Sequence, residues 1–290
     1  MIIHEINQSC NSYFYSGDIT SKKDFLLIDD LKRITTNGKE IKPKIDLEHP
    51  IIRSISKDYF IIVDGEPNDR SENAWIIDFE GKIKKSFFLG NATDFALTRS
   101  KIIVSYSKCE LDTSRIFRYD SSSLENQGNL PISSEGLAVF DFDGNCLFKY
   151  MSDARKEDFI EFQEVYSFFV DEKNRVYLLS YLFDGGFSIL EFELDNYSMK
   201  RLIDLNGILD EKYLPKAMTK KNEDWYILVN NYEDILNANF KSQIMKYHNK
   251  SVEKIGECCF SVKMKGNKDG TFSVPISQKN NFENSCFIEL

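Results

Sequence analysis

LAVFDFDGNCLFKYM (residues 137–151) and AWIIDFEGKIKKSFF (residues 74–88) superimpose position by position. Each is an apolar run, a five-residue turn with glycine in fourth place, and a second apolar run. Glycine at that place fits a tight hairpin turn, which needs a positive φ. Taken alone, Asp141-Phe142-Asp143-Gly144-Asn145 matches the opening of a calcium loop. In the other copy the fifth residue is Lys82, a poor calcium ligand. The late carboxylate of such a loop is also missing from the CLFKYMS that follows Asn145. The two stretches are therefore two copies of one hairpin, and the first sign of a repeat.

Weaker copies are KRITTNGKEIKPKI (32–45), SILEFELDNYSMKRLI (188–203) and SQIMKYHNKSVEKI (242–255). A strand pair of another kind recurs alongside, in IRSISKDYFIIVD (52–64), DFALTRSKIIVSY (94–106), SFFVDEKNRVYLLSY (167–181) and KAMTKKNEDWYILVN (216–230). Its second member is strongly apolar and ends in a small or polar residue. The unit is thus four strands, a to d. The b strands fall at 24–29, 58–63, 101–106, 175–180, 225–230 and 271–276, with starts 34, 43, 74, 50 and 46 residues apart. The longest spacing contains an insertion at 107–135. Four short strands recurring in this way, with no long stretch of helical period, are the pattern of a β-propeller.

The expected fold class is all-β, a single propeller domain over residues 1–290 with six four-stranded blades; five or seven blades are the alternatives. The last unit (CFSVKMKG, TFSVPIS, SCFIEL) is one strand short, and MIIHEIN at the start has no partner before SYFYSG. Residues 2–7 are therefore expected to complete the last blade as its outer strand, closing the ring and leaving only short edges. Over nearly the whole chain the strand pattern resembles the broad six-bladed β-propeller group. The Trp-Asp and Gly-His signatures of WD repeats are absent: Ile76 follows Trp75 and Tyr226 follows Trp225. The glycine doublet of kelch repeats occurs once, at Gly185-Gly186.

Lys and Arg number 37 against 46 Asp and Glu, a formal charge of -9. That balance argues against nucleic acid as partner, since tracking phosphates needs concentrated positive charge. No apolar run approaches the ~20 residues of a membrane-spanning helix. MIIHEINQSC lacks the basic start and apolar core of a signal peptide. Cys10, Cys109, Cys146, Cys258, Cys259 and Cys286 show no CxxC and no disulfide framework, and are read as buried reduced thiols of a cytoplasmic protein.

In a propeller the a–b and c–d turns emerge on one face, and the b–c loops and d–a crossovers on the other. Here the first set is short and the second long: 64–73, 107–135, 151–164, 205–216 and 230–241. Elaborated loops on a rigid scaffold carry function. Residues 64–73 hold four acids and one base, 107–135 five acids and three bases, and 151–164 five acids and two bases. These loops also carry aromatics, among them Phe162 and Phe240. The expected site is thus an acidic, aromatic-studded face: Asp64, Glu66, Asp69, Glu72, Glu110, Asp112, Phe117, Tyr119, Glu157, Asp158, Phe159, Tyr213, Tyr232, Glu233 and Asp234. Such a face suits a basic protein partner, with aromatics as anchors and carboxylates raising the association rate. Its most concrete form is a bacterial immunity protein that neutralises a toxin nuclease. The chain is expected to be monomeric apart from that partner, with no cofactor, no metal and no membrane contact.

Catalytic patterns are thin. His4, His49 and His248 are dispersed, and neither GxSxG nor a glycine-rich phosphate loop occurs. Two other readings stand beside the binding face. Lactonase-like propeller hydrolases hold calcium in the central channel, and that resemblance would make Asp64, Asp94, Asn230 and Asn231 the candidate ligands. A scaffold or sensor within a larger complex is the third.

Overall fold

The computed structural model describes residues 2–7, 14–19, 24–29, 31–65, 72–106, 132–210, 212–232, 241–259, 265–266, 272–274 and 284–289. Their strands form six four-stranded antiparallel sheets. β1 (Ile2–Asn7) precedes blade 1, which is β2 (Phe14–Ile19), β3 (Phe25–Asp29), β4 (Ile34–Thr36) and β5 (Lys39–Ile41). Blade 2 is β6 (Pro50–Ser54), β7 (Tyr59–Asp64), β8 (Ala74–Asp78) and β9 (Ile83–Phe87). Blade 3 is β10 (Asp94–Leu97), β11 (Ile102–Ser105), β12 (Leu137–Phe140) and β13 (Cys146–Lys149). Blade 4 is β14 (Phe162–Val170), β15 (Val176–Leu182), β16 (Phe187–Glu193) and β17 (Ser198–Asp204). Blade 5 is β18 (Tyr213–Lys221), β19 (Asp224–Asn231), β20 (Lys241–His248) and β21 (Ser251–Cys259). The last strands are β22 (Lys265–Gly266), β23 (Phe272–Val274) and β24 (Asn284–Glu289).

Blades 1 to 5 are uninterrupted meanders, whereas the remaining sheet is composite, in the order β1-β24-β23-β22. Blades built from one continuous stretch therefore number five rather than six, and the sixth sheet draws on both ends of the chain. β1 is its outer strand, in register from Ile2 opposite Glu289 to Asn7 opposite Asn284. The inner strands pack side by side around the ring, β2 on β6, β6 on β10, β10 on β14, β14 on β18 and β18 on β22, and β2 meets β23 across the closure.

Alternation along the central strands explains why they read as continuous apolar runs. Successive side chains of a strand point to opposite faces. In β7, Phe60 and Ile62 enter the core between blades 1 and 2, while Ile61 and Val63 enter the core between blades 2 and 3. In β15, Val176 and Leu178 face blade 3, while Tyr177 and Leu179 face blade 5. Both faces are thus covered by neighbouring blades, at about 1.5–3 kcal/mol for each large apolar side chain fully buried.

Inner strands leave one edge unpaired toward the ring axis, and side chains supply what the edge lacks. Ser16 Oγ accepts from the Ile52 N–H at 3.2 Å and Asp18 Oδ2 from the Ser54 N–H at 2.8 Å, so blade 1 caps the inner strand of blade 2. Between blades 2 and 3 the link is ionic. Arg53, nearly fully buried, reaches Asp94 Oδ1 at 2.6 Å and lies over the Phe95 ring.

The two repeated turns match atom for atom. Asp141 Oδ1 accepts the N–H groups of Asp143 (2.8 Å) and Asn145 (2.9 Å); Asp78 Oδ1 accepts those of Glu80 (3.1 Å) and Lys82 (2.8 Å). Gly144 and Gly81 have φ of +84° and +88°. A Cβ on Gly144 would lie 2.5 Å from Phe87 Cβ of blade 2, so glycine is required there by conformation and by space. Hydrogen bonds, first of all from the Asn145 side chain, hold the Asp141 carboxyl below its usual range. The first aspartate of the stretch thus serves as a turn clamp.

Candidate functional site

The observed strands place the connections as the alternation of a meander requires. One face carries short turns such as 55–58, 79–82, 98–101, 222–223 and 249–250; the strand ends that flank the connections 42–49, 65–73, 106–136, 150–161 and 232–240 lie on the other. The b–c connections of blade 1, between β3 and β4, and of blade 4, residues 183–186, are short although they leave from the long-loop face. None of the helices among the described residues is long and apolar enough to cross a membrane.

Asp64 does not face a partner. Its carboxylate is buried, accepting the backbone N–H groups of Glu48 at 2.8 Å and His49 at 2.7 Å. It is the strand-end clamp that holds the blade 1–2 crossover. Asn73, fully buried, completes the joint. Its Nδ2 donates to the carbonyls of Asp64 (2.7 Å) and Gly90 (2.8 Å), and its Oδ1 accepts from the Leu89 N–H (2.8 Å). Asn73→Ala orphans one donor and two acceptors in a dry site. Thermal and urea denaturation should show a loss of about 3 kcal/mol; an unchanged midpoint would refute this role.

Glu135 is likewise turned inward, accepting from the Ser152 N–H (2.9 Å) and hydroxyl (2.6 Å). The solvent-facing negative charge of these loops is thus smaller than the residue count implies. Glu72 and Glu157 are exposed, the latter 3.9 Å from Arg155 Nε. Phe159 is half-buried and stacks on Tyr150, with ring centroids 5.2 Å apart. Phe162 is fully buried, so that loop aromatic belongs to the core. Tyr213 is half-buried beneath the Lys212 ammonium, 5.1 Å above its ring. Tyr232 is 48% exposed, and its N–H donates to the Lys212 carbonyl at 2.9 Å. Glu66, Asp69, Glu110, Asp112, Phe117, Tyr119, Phe240, Glu233, Asp234 and the side chain of Asp158 lie outside the described residues. Cys146 is exposed on an outer strand rather than buried.

Three of the four channel candidates are engaged by neighbouring groups. Asp64 is held by backbone, Asp94 by Arg53, and Asn230 Oδ1 by the Ser242 hydroxyl at 2.5 Å. Among the described residues no three His, Cys, Asp or Glu side chains cluster in a way that could hold a metal ion.

A feature not foreseen from the sequence sits where blades 4 and 5 meet. β14 slips register between Phe162 and Glu164 and between Val165 and Ser167, and β18 slips between Pro215 and Ala217. The extra residues are Gln163, Tyr166 and Lys216. Gln163 and Lys216 lie in the first half of their inner strands, toward the long-loop end, and Tyr166 at the middle of β14. Proline inside a strand is confined to edges and bulges, so Pro215 was the available signal.

No protein-family model matches the chain, and no curated protein matches it. Solved structures do. The WD40 repeats of RRP9 superpose with a TM-score of 0.53 at 8% identity, over 98% of this chain and 96% of that one. The PQQ-bound aldose sugar dehydrogenase of Streptomyces coelicolor gives 0.52 at 9% identity, over 99% and 97%. YCF48 bound to D1 peptide gives 0.52 at 8% identity, over 97% and 79%. The chain spans about a third (32%) of the extracellular domain of a one-component system from B. thetaiotaomicron, at a TM-score of 0.47. At such identities the likeness is one of fold, and fold alone does not specify activity.

Proposed function

We propose that this chain is a non-catalytic binding propeller that holds a basic protein on its long-loop face, most concretely as a bacterial immunity protein that masks a toxin nuclease. The observation that supports the reading is the segregation of connections. The described strand ends that flank nearly every long connection, those of the acid-rich stretches 64–73, 107–135 and 151–164 among them, lie on one face, while the opposite face carries tight turns. Glu72 and Glu157 present carboxylates there and Tyr232 an exposed ring. Exposed carboxylates of this kind steer a basic partner into encounter more than they tighten the final complex.

The test is association kinetics with the basic protein encoded beside this one in its native host. A stable complex is expected, with an association rate falling at least about tenfold from low to high salt. Replacing Glu72 and Glu157 by Lys should slow association several-fold and leave the melting temperature unchanged. Absence of a stable complex, or rates indifferent to salt and to both replacements, would sink the proposal.

A further inference from the structure

Backbone irregularity, an ammonium and aromatic rings coincide at the blade 4–blade 5 interface. Bulges re-aim side chains and concentrate next to active sites; here two adjacent inner strands both carry them. They bring Lys216 of blade 5 to Tyr166 of blade 4, with Nζ 6.0 Å from the ring centroid. Lys216 is half-buried, and among the described residues it has neither a hydrogen bond nor an ion pair. Loss of hydration holds its ammonium below the usual lysine range, and the charge of Glu164 offsets this only in part. Tyr166 meets Phe187 edge-on at 5.3 Å, and Phe187 meets Tyr181 at 5.1 Å. Tyr166 and Phe187 cap the core shared by the two blades. The b–c loop of blade 4 beside them is only residues 183–186.

A half-desolvated cation with no ion pair among the described residues, its charge offset only in part by Glu164, opposes folding, so its position calls for another explanation. We propose that Lys216 and the rings of Tyr166, Phe187 and Tyr181 form a binding site for a small organic monoanion with a flat apolar body, the aryl carboxylate class. One ammonium matches one carboxylate. Glu164 nearby disfavours a dianion such as phosphate. The rings offer faces and edges on which a planar body packs. Lys216 supplies the charge-assisted hydrogen bond, which is stronger away from bulk water. This inference is independent of the basic-partner reading, since the site takes an anion and not a cationic surface.

The experiment is calorimetric titration of the full chain with benzoate and, separately, with inorganic phosphate. Benzoate should bind in the millimolar range or tighter, and at least about tenfold more tightly than phosphate. Lys216→Met should lower benzoate affinity at least about tenfold, with a melting temperature equal to or above that of the parent, because the desolvated charge is gone. Tyr166→Leu should weaken benzoate several-fold with Lys216 intact. Lack of benzoate binding to the parent chain overturns the proposal whatever the variants do. So does undiminished binding by a folded Lys216→Met protein. Equal affinity for phosphate and benzoate overturns the aryl carboxylate assignment.

Discussion

Deleting residues 1–7 is expected to abolish cooperative unfolding rather than trim it. β24 pairs with β1 over six residues, from Asn284 to Glu289, but with β23 over only three, Phe272 to Val274. Without β1 most of the ladder on β24 is lost, and a bare strand edge is presented to solvent and to other chains. The sixth sheet is also the joint through which β18 and β2 are connected around the ring. Set against the ~5–15 kcal/mol by which a typical domain is stable, loss of this joint should leave a broad, low-temperature transition and a tendency to associate. Circular dichroism melts and light scattering read both effects. A synthetic peptide of residues 1–8 should restore the transition by adding the missing strand. A truncated chain that melts as sharply and as high as the parent would show that closure does not depend on β1.

The second large effect is expected at Asp94. Arg53 and Asp94 have side chains only 8% and 21% exposed and join the inner strands of blades 2 and 3. Arg53 Nη1 also donates to its neighbour's carbonyl, Ile52 O, at 2.9 Å, while its Nε has no partner. Removing one member of a buried pair strands the other, which costs about 3–5 kcal/mol. Asp94→Ala should therefore lower the urea midpoint sharply. The double replacement Arg53→Met with Asp94→Ala should recover most of the loss, because no charge then remains in the dry site. If the double variant is as unstable as the single one, the damage comes from packing or from the lost Phe95 N–H acceptor, not from an uncompensated charge.

The propeller was legible because it is written in repetition. Gly81 and Gly144 hold the same place in the same turn, and the apolar stretch FIIV of β7 reads plainly as a strand with cores on both sides. The composite sheet was legible by subtraction, as one strand too few at one end and one too many at the other. The candidate site was legible only in part. Charge counted along a loop does not reveal what each carboxylate holds. Asp64 and Glu135 answer backbone and hydroxyl donors that are distant in sequence, by about 16 residues in each case. Lys216 was missed for a related reason. A bulge is a one-residue event in a ladder, and its register exists only relative to the partner strand.

The pairing of Ile2 with Glu289 has a consequence for how the molecule can be rewired. The two ends meet where every other blade has its c–d hairpin. A short linker there would supply the missing hairpin and convert the chain into a covalent circle. Any remaining c–d turn, such as 37–38 or 249–250, then becomes a place to cut. Cut at such a turn, the circle becomes a permuted chain that keeps its strand neighbours and carries its new ends on the face opposite the long loops.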